Sequence, residues 1–405
     1  MSNRSRPMVG TTAEGLRAWI REGRLRAGDT LDSEHRLAET LGVSRGTIRL
    51  AIDVLVSTGE LTRRPHSRPV IGMLGDRSSG SEGLDVYVWV SHPISDHASL
   101  MFMRGVSLGL KGTPYRMIVR EPTRFYGGHV PSDERQFLID LLENEGAAGA
   151  IIQRDAAGKN AEAAKTLLRA GKPLVFVDSP PPEGVDADYV GSSNLAAARQ
   201  CVEHLIELGH QRIACLMESD ETDVTNQRTK GYWRAMRLGG LEDRGVCLIA
   251  GALANEGRHL HPAGRFAPRC ATHGAYLEWS QRLVAAVLAL PERPTAVFVG
   301  CDVLAHSVGA LLEGAGVRIP EDMSIVGFDW LARWESAQID DLTTASQDFE
   351  GFGRQSADLL LDRLTGEASA TPRHVLLPAP LVVRSSTAPR KAAMPSGDHL
   401  GSKPL

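Results

Sequence analysis

Ile319-Pro320-Glu321-Asp322-Met323-Ser324-Ile325-Val326-Gly327-Phe328-Asp329 is the stretch that decides the fold. Ser324 to Phe328 is a short apolar run with polar residues before it and a carboxylate directly after it. That pattern predicts a strand covered on both faces, because a half-exposed strand would alternate. Runs of the same kind recur outward from it: Leu84 to Val90, Tyr115 to Val119, Ala150 to Gln153, Pro173 to Val177, Arg212 to Met217 and Thr295 to Val299. Amphipathic stretches separate them, among them Asn194 to Leu208 and Val303 to Glu313. Apolar strands alternating with helices indicate an α/β architecture with parallel sheets. About 300 residues with this pattern exceed one comfortable core, so two lobes are expected.

The first seventy residues follow a different plan. Leu16, Trp19 and Ile20 lie at helical spacing between Thr11 and Arg21. Ser33 stands where an N-cap would be, and Leu37, Ala38 and Leu41 form a stripe that stops at Gly42. Ser44 then caps a further helix in which Ile48, Ala51, Ile52 and Leu55 face one way, closing at Gly59. Two short helices around a three-residue turn containing Gly predict a helix-turn-helix. Arg45, Gly46, Thr47 and Arg49 lie on the outer surface and N-terminal edge of the second helix. Arg can donate two hydrogen bonds to guanine, and Thr can bond a base edge or a phosphate. Glu60 to Arg64 and Val70-Ile71 read as two short strands around Pro65-His66-Ser67-Arg68-Pro69, a hairpin with a basic tip that adds Arg64, His66 and Arg68 to the DNA-facing set.

The charge distribution agrees. Up to Gly75 there are 12 Arg, no Lys and 8 Asp plus Glu, a balance of +4, whereas the remainder carries −8. A basic module thus precedes an acidic body, which suits a first segment that meets phosphate. Met73 to Gly83 is rich in Gly and Ser and reads as a tether. The divisions expected are residues 1–72 as head, 73–83 as linker, 84–388 as body and 389–405 as a disordered tail. Within the body, lobe 1 is expected to take residues 84–190 and 331–362, and lobe 2 residues 191–330 and 363–388. No run of 18 apolar residues spans a bilayer, and no apolar segment follows the basic residues of the first ten, so a cytoplasmic protein without membrane association is expected. Cys201, Cys215, Cys247, Cys270 and Cys301 are an odd, scattered set without a CxxC, consistent with reduced thiols.

The head resembles the GntR family of winged helix regulators. The matching residues are Leu31-Asp32-Ser33-Glu34 with Leu37-Ala38, Leu41-Gly42-Val43-Ser44-Arg45, Thr47-Ile48-Arg49 with Ala51, Leu55 and Gly59. The resemblance implies that Arg45, Thr47 and Arg49 contact operator DNA with Ser44 near the backbone. His35 stands where the family usually has Arg, and a phosphate contact is expected of it. The body is similar to the sensor domain of the LacI family, which shares its fold with periplasmic sugar-binding proteins. The residues that carry this are His204 to Ala214, Arg228 with Gly231-Tyr232, Pro294 to Val297 leading to Asp302, Ile319 to Asp329, Leu342-Thr343-Thr344 and Gln347. Cys301 departs from the pattern, since many sugar-responsive relatives have Asn there. A GntR head on such a body resembles the arabinose-repressor type of regulator.

Ligands of open α/β sheets bind beyond the carboxyl ends of the strands, and in a two-lobed protein these ends face the cleft. Candidate ligand-binding residues are therefore Ser91, His92, Gln153, Asp178, Arg228, Asp329 and Gln347. Their carboxylates accept from sugar hydroxyls, while Arg and amides bond the remaining oxygens. The family resemblance singles out Asp178, Arg228, Asp329 and Gln347, with Phe349 as an apolar wall. The partners it implies are double-stranded operator DNA, a small effector (most readily a sugar, next a purine or other polar metabolite) and a second copy in a homodimer. Such a protein is a repressor whose operator affinity the effector controls.

Other classes are weaker. Neither a P-loop nor a GxSxG elbow is present, and Ser, His and Asp show no catalytic grouping, so an enzyme, such as one that processes sugars, is not expected. A DNA-binding dimer without an effector is the other alternative. His259, His261, Cys270 and His273 are metal-ligand types, but their spacing fits no common zinc motif and reads as an inserted surface loop. His92, Asp96 and His97 read as a polar loop. No metal and no cofactor are expected.

Overall fold

The computed structural model describes residues 30–57, 61–62, 70–71, 84–91, 97–122, 132–154, 160–219, 222–253, 274–329 and 341–390, with residues 12, 13, 15, 16 and 19 before them. The chain divides into two compact units, Met1–Ser81 and Glu82–Leu405.

In the first unit α1 (Glu34–Leu41) starts at Ser33, whose hydroxyl accepts from the Arg36 N–H, and stops at Gly42, which turns left-handed at φ 65°. A left-handed residue is where a helix gains from glycine, which has no Cβ to collide with the preceding carbonyl. Then α2 (Arg45–Ser57) begins, with the Ser44 hydroxyl accepting from the Thr47 N–H at 3.1 Å. Strands β1 (Leu61–Thr62) and β2 (Val70–Ile71) pair antiparallel, Leu61 opposite Ile71. The expected wing is therefore present, although its tip lies outside the described residues. Leu37, Ala38, Ile48, Ala51, Ile52 and Leu55 are buried together with Leu16, Leu31 and Leu61. The helical stripes predicted from spacing are this core.

The second unit holds two six-stranded sheets. The first comprises β3 (Asp85–Trp89), β4 (Arg116–Arg120), β5 (Ala147–Gln153), β6 (Leu174–Val177), β7 (Asp188–Ser192) and β13 (His374–Leu377), in spatial order β13-β7-β6-β5-β3-β4 and parallel throughout. The helices between them are α3 (His97–Gly109), α4 (Ser132–Glu143) and α5 (Ala161–Arg169). The second comprises β8 (Ile213–Met217), β9 (Val246–Ile249), β10 (Ala296–Val299), β11 (Ser324–Asp329), β12 (Thr343–Ser346) and β14 (Leu381–Val382), in order β14-β12-β11-β10-β8-β9. All its pairs are parallel except β14 on β12. Helices α6 (Asn194–Glu207), α7 (Asp223–Leu238), α8 (Gly274–Ala289) and α9 (Asp302–Gly314) belong to it. Each sheet has an apolar cluster on either face, which is why its strands read as continuous apolar runs.

The last crossings differ from the expected lobe boundaries. Thr343–Ser346 pairs with β11 in the second sheet, α10 (Phe349–Thr365) packs on α3 of the first lobe, and β13 pairs with β7 in the first sheet. Hence residues 343–346 are not in lobe 1, and 374–377 are not in lobe 2. Thr-Thr-Ala-Ser carries no apolar signal of its own; its neighbours decide its sheet. Close packing of α10 is possible because Gly105 and Gly353 lie where a Cβ would collide with the facing backbone, at the Glu350 and Phe102 carbonyls. The ordered chain also runs past the expected start of the tail. Ser386 bonds Ile325 and Thr343, His210 Nε2 lies 3.1 Å from the Ala388 carbonyl, and the Arg390 N–H donates to Leu208 O.

Candidate functional site

In the first unit, Arg45 and Gly46 are exposed on the first turn of α2. Thr47 departs from expectation. It is buried, and its hydroxyl lies 2.8 Å from Ser44 Oγ, so it secures the start of the helix and does not face outward. The Arg49 guanidinium is engaged by Glu34 of α1, with Nε and Nη2 on the two carboxylate oxygens at 3.2 and 2.8 Å. It braces the two helices against each other. His35 sits one turn from Glu39, 3.4 Å away, on the exposed face of α1. Arg64, His66 and Arg68 lie outside the described residues.

In the second unit the nominated residues sit at strand ends, as expected. Gln153 ends β5, Asp178 follows β6, Asp329 ends β11 and Gln347 follows β12. Arg228 lies in the second turn of α7 and is almost fully buried. A chain of hydrogen bonds joins four elements. Ser192 Oγ donates to Gln347 Oε1 at 2.5 Å, and Gln347 Nε2 donates to Asp329 Oδ1 at 2.6 Å. The same oxygen takes the Arg228 Nη2 ion pair at 3.0 Å. Arg228 further donates Nε to Asn194 Oδ1 and Nη1 to the Gly300 carbonyl, and its guanidinium lies 3.8 Å from the Phe328 ring centroid. A planar cation with five donors, stacked on an aromatic face, fits this setting as an ammonium would not.

Ser192 and Gln347 both flank segments that cross from one sheet to the other, at β7 to α6 and at β12 to α10. The relay therefore runs from two crossings to the ion pair. Lobe 1 also reaches lobe 2 through Arg154, after β5, whose guanidinium is 3.7 Å from Asp223 at the start of α7.

Backbone strain marks the same place. Among the described residues, the non-glycine residues with positive φ are Asp178 (65°) and Asp329 (113°). Such conformations are costly for a side chain and gather at functional sites. Asp178 is pinned by its N–H on the Val190 carbonyl and by the Tyr189 hydroxyl, which donates to its own carbonyl. Burial pushes the Asp329 carboxyl up to about 7, with Asp178 and Glu218 adding to the rise, although Arg228 and Gln347 pull the other way.

Three buried acceptors here have no donor: Gln153 Oε1, Asp178 Oδ1 and Glu218 Oε2. Glu218, at the end of β8, was not foreseen, nor were Ser192, Asn194 and the Gly300 carbonyl. Only its strand-end position could have flagged Glu218. Ser91 is buried at the end of β3, and His92 lies outside the described residues. Phe349 does not join the polar group. It packs on the first lobe's core and meets Phe352 edge-on at 5.8 Å.

Residues 9–71 match the family described as bacterial regulatory proteins, gntR family. Residues 129–254 match the periplasmic binding proteins and sugar binding domain of the LacI family, and residues 202–387 the periplasmic binding protein-like domain. The chain joins a GntR-type head to a LacI-type, periplasmic-binding-protein-like body. The chain is 30% identical over 217 residues to the HTH-type transcriptional repressor CytR of Escherichia coli K12, covering 53% of this chain and 56% of CytR. It is 31% identical over 226 residues to the HTH-type transcriptional regulator CelR of Thermobifida fusca, covering 54% and 58%. The chain thus spans just over half the length of these curated relatives. A LacI family transcriptional regulator from Enterococcus faecium, solved with bound ribose, is 25% identical, with TM-score 0.58 over 76% of this chain and all of that one. A CelR–cellobiose complex shares the fold at TM-score 0.58 and 21% identity, covering 88% of this chain and all of that one. The named relatives are regulators of transcription, and the α/β fold expected from sequence is the one they share.

Among the described residues no helix is long and apolar enough to cross a membrane, and no group of three His, Cys, Asp or Glu is placed to hold a metal ion. His259, His261, Cys270 and His273 lie outside those residues.

Proposed function

We propose that this chain is a DNA-binding transcriptional repressor whose operator affinity is set by a small molecule, a sugar or sugar-like compound, bound where the strand ends of the two lobes meet. The observation that carries this reading is the buried relay from Ser192 through Gln347 and Asp329 to Arg228. It ties the lobe crossings to the strand ends, where Gln153, Asp178 and Glu218 keep unmet acceptors, and such groups are kept where a ligand completes them. A ligand that bonds both lobes favours one arrangement of them, and its differential affinity shifts the population of that arrangement. The protein acts in the cytoplasm as a homodimer, so that two heads reach half-sites of a palindromic operator about one DNA turn apart. Binding rather than turnover suits the site: its best-placed carboxylate is engaged by Arg228 and Gln347.

Arg45 is the head residue best placed to meet a base edge or phosphate. Duplex DNA selected from a random pool should bind the full chain at low salt, and Arg45→Ala should weaken it about tenfold without changing the melting temperature. Titrating sugars into that complex tests the coupling. Failure of every sugar and polar metabolite to alter operator affinity would sink the reading.

A further inference from the structure

The proposed effector site has a charge balance of its own. Among the described residues around the relay, four carboxylates, Asp178, Glu218, Asp223 and Asp329, meet two guanidinium groups, Arg154 and Arg228. Arg228 is fully committed to Asn194, Gly300 and Asp329. Arg154 is the cation beside Asp223, with its Nε the unmatched donor here. Asp178 and Glu218 are left over. Asp178 follows the end of β6 in lobe 1 and Glu218 the end of β8 in lobe 2, and Asp178 Oδ1 and Glu218 Oε2 accept no hydrogen bond.

A third, independent group points the same way. Gln153 is 8% exposed and presents Oε1 without a donor at the end of the strand beside Asp178. Glu218 is held close against Gly300, where an added Cβ would lie 2.9 Å from Oε2 and 2.6 Å from the Met217 sulfur. The missing side chain makes room for this carboxylate next to the strand ends.

These unmet acceptors restrict what can complete the site. A phosphorylated or acidic sugar would add negative charge to an excess already there. A neutral sugar supplies hydroxyl donors but brings no counter-charge for the two carboxylates left over. Among the described residues no metal site can supply the charge. An ammonium group brings three donors, a positive charge and no acceptor. We propose that the effector is a polyhydroxylated amine, such as an amino sugar, whose ammonium group is held by the Asp178 and Glu218 carboxylates while Gln153 accepts from a neighbouring donor. This rests on the reading of the lobe junction as the effector site.

The test uses the full chain and matched triplets: glucose, glucosamine and glucose 6-phosphate, with the corresponding galactose and mannose compounds. A ligand selective for the native form raises the melting temperature, and calorimetry then gives its affinity. The expected result is that at least one amine binds roughly tenfold or more tightly than its neutral parent, with no shift from the phosphates. Glu218→Gln and Asp178→Asn should each erase most of that preference, and if one variant fails to fold the other decides. A neutral or phosphorylated member binding as tightly as its amine would overturn the amine while leaving the effector site in place. No shift from any compound of any charge would remove the effector reading and the amine with it.

Discussion

Two buried acidic sites in the body make opposite use of the same chemistry. Asp188, at the start of β7, has no exposed side-chain surface, and its carboxylate is saturated. Arg363 donates Nε and Nη2 at 2.8 and 2.7 Å, the Arg373 N–H donates at 2.7 Å, and the Arg373 guanidinium lies 3.5 Å away. Burial pushes this carboxyl up, but the bonds from Arg363 and Arg373 together outweigh it and hold the group below the usual aspartate range. At the lobe junction the balance is reversed. Asp329 has its arginine and is still raised, and Glu218 is raised chiefly by burial. A saturated carboxylate fastens α10 and β13 to the first sheet, whereas Glu218 Oε2 and Asp178 Oδ1 are left without a donor. The difference lies in hydrogen-bond supply: two arginines serve Asp188, and no donor reaches these two oxygens.

The contrast is testable by removing each carboxylate. Asp188→Ala leaves two arginines facing an empty polar site and should cost about 3–5 kcal/mol in denaturant unfolding. A loss under about 1 kcal/mol there would erase the distinction. Glu218→Gln should go the other way and stabilise the unliganded chain at alkaline pH, because burial disfavours the charged carboxylate and the amide carries no charge. Destabilisation by that change would show that Glu218 belongs to the first kind of site.

Titration sharpens the same comparison with smaller effects. The lowered Asp188 carboxyl contributes stability that is present above the unfolded value of 3.8 and is lost only as pH falls below it. Glu218 is raised above 4.5, so its contribution fades as pH rises through its folded value. A different limb belongs to His210 and His204, both held below 6.5 chiefly by burial. His210 contacts Thr295, Ser324 and the Ala388 carbonyl, and His204 lies 3.1 Å from the Thr387 hydroxyl. Neutral below their ordinary range, they contribute stability above pH 6.5 that is lost as pH falls and they take up protons. The expected slope is at most about 1.4 kcal/mol per pH unit for each proton. Thermal melts from pH 8 to pH 5 check this, and His210→Asn should flatten the acid limb.

Much of this was legible in the residues. Ser324 to Phe328 is a strand because a run of β-favouring apolar residues between turns has one way to bury both faces. Leu37 and Ala38, then Ile48, Ala51, Ile52 and Leu55, announce two helices by their spacing and do form the head's core. Asp178 and Asp329 were nominated because strand ends are where such sheets expose chemistry, and both do stand at strand ends. Thr343–Ser346 escaped for the complementary reason. Its strand is specified by β11 on one side and β14 on the other, and not by its own apolar character. Thr47 and Arg49 were nominated for DNA by residue type, but what each touches depends on Ser44 and on Glu34 across the turn.

Periodicity, caps and apolar runs are local properties, and through them the sequence alone specified two kinds of unit, their elements and the strand ends that carry polar groups. Which carboxylate would be saturated and which left wanting was decided by the tertiary structure. Burial and hydrogen-bond supply come from residues up to 185 positions apart, as Arg373 is from Asp188. Nothing in a linear pattern states how far a charge will stand from water or from its partner.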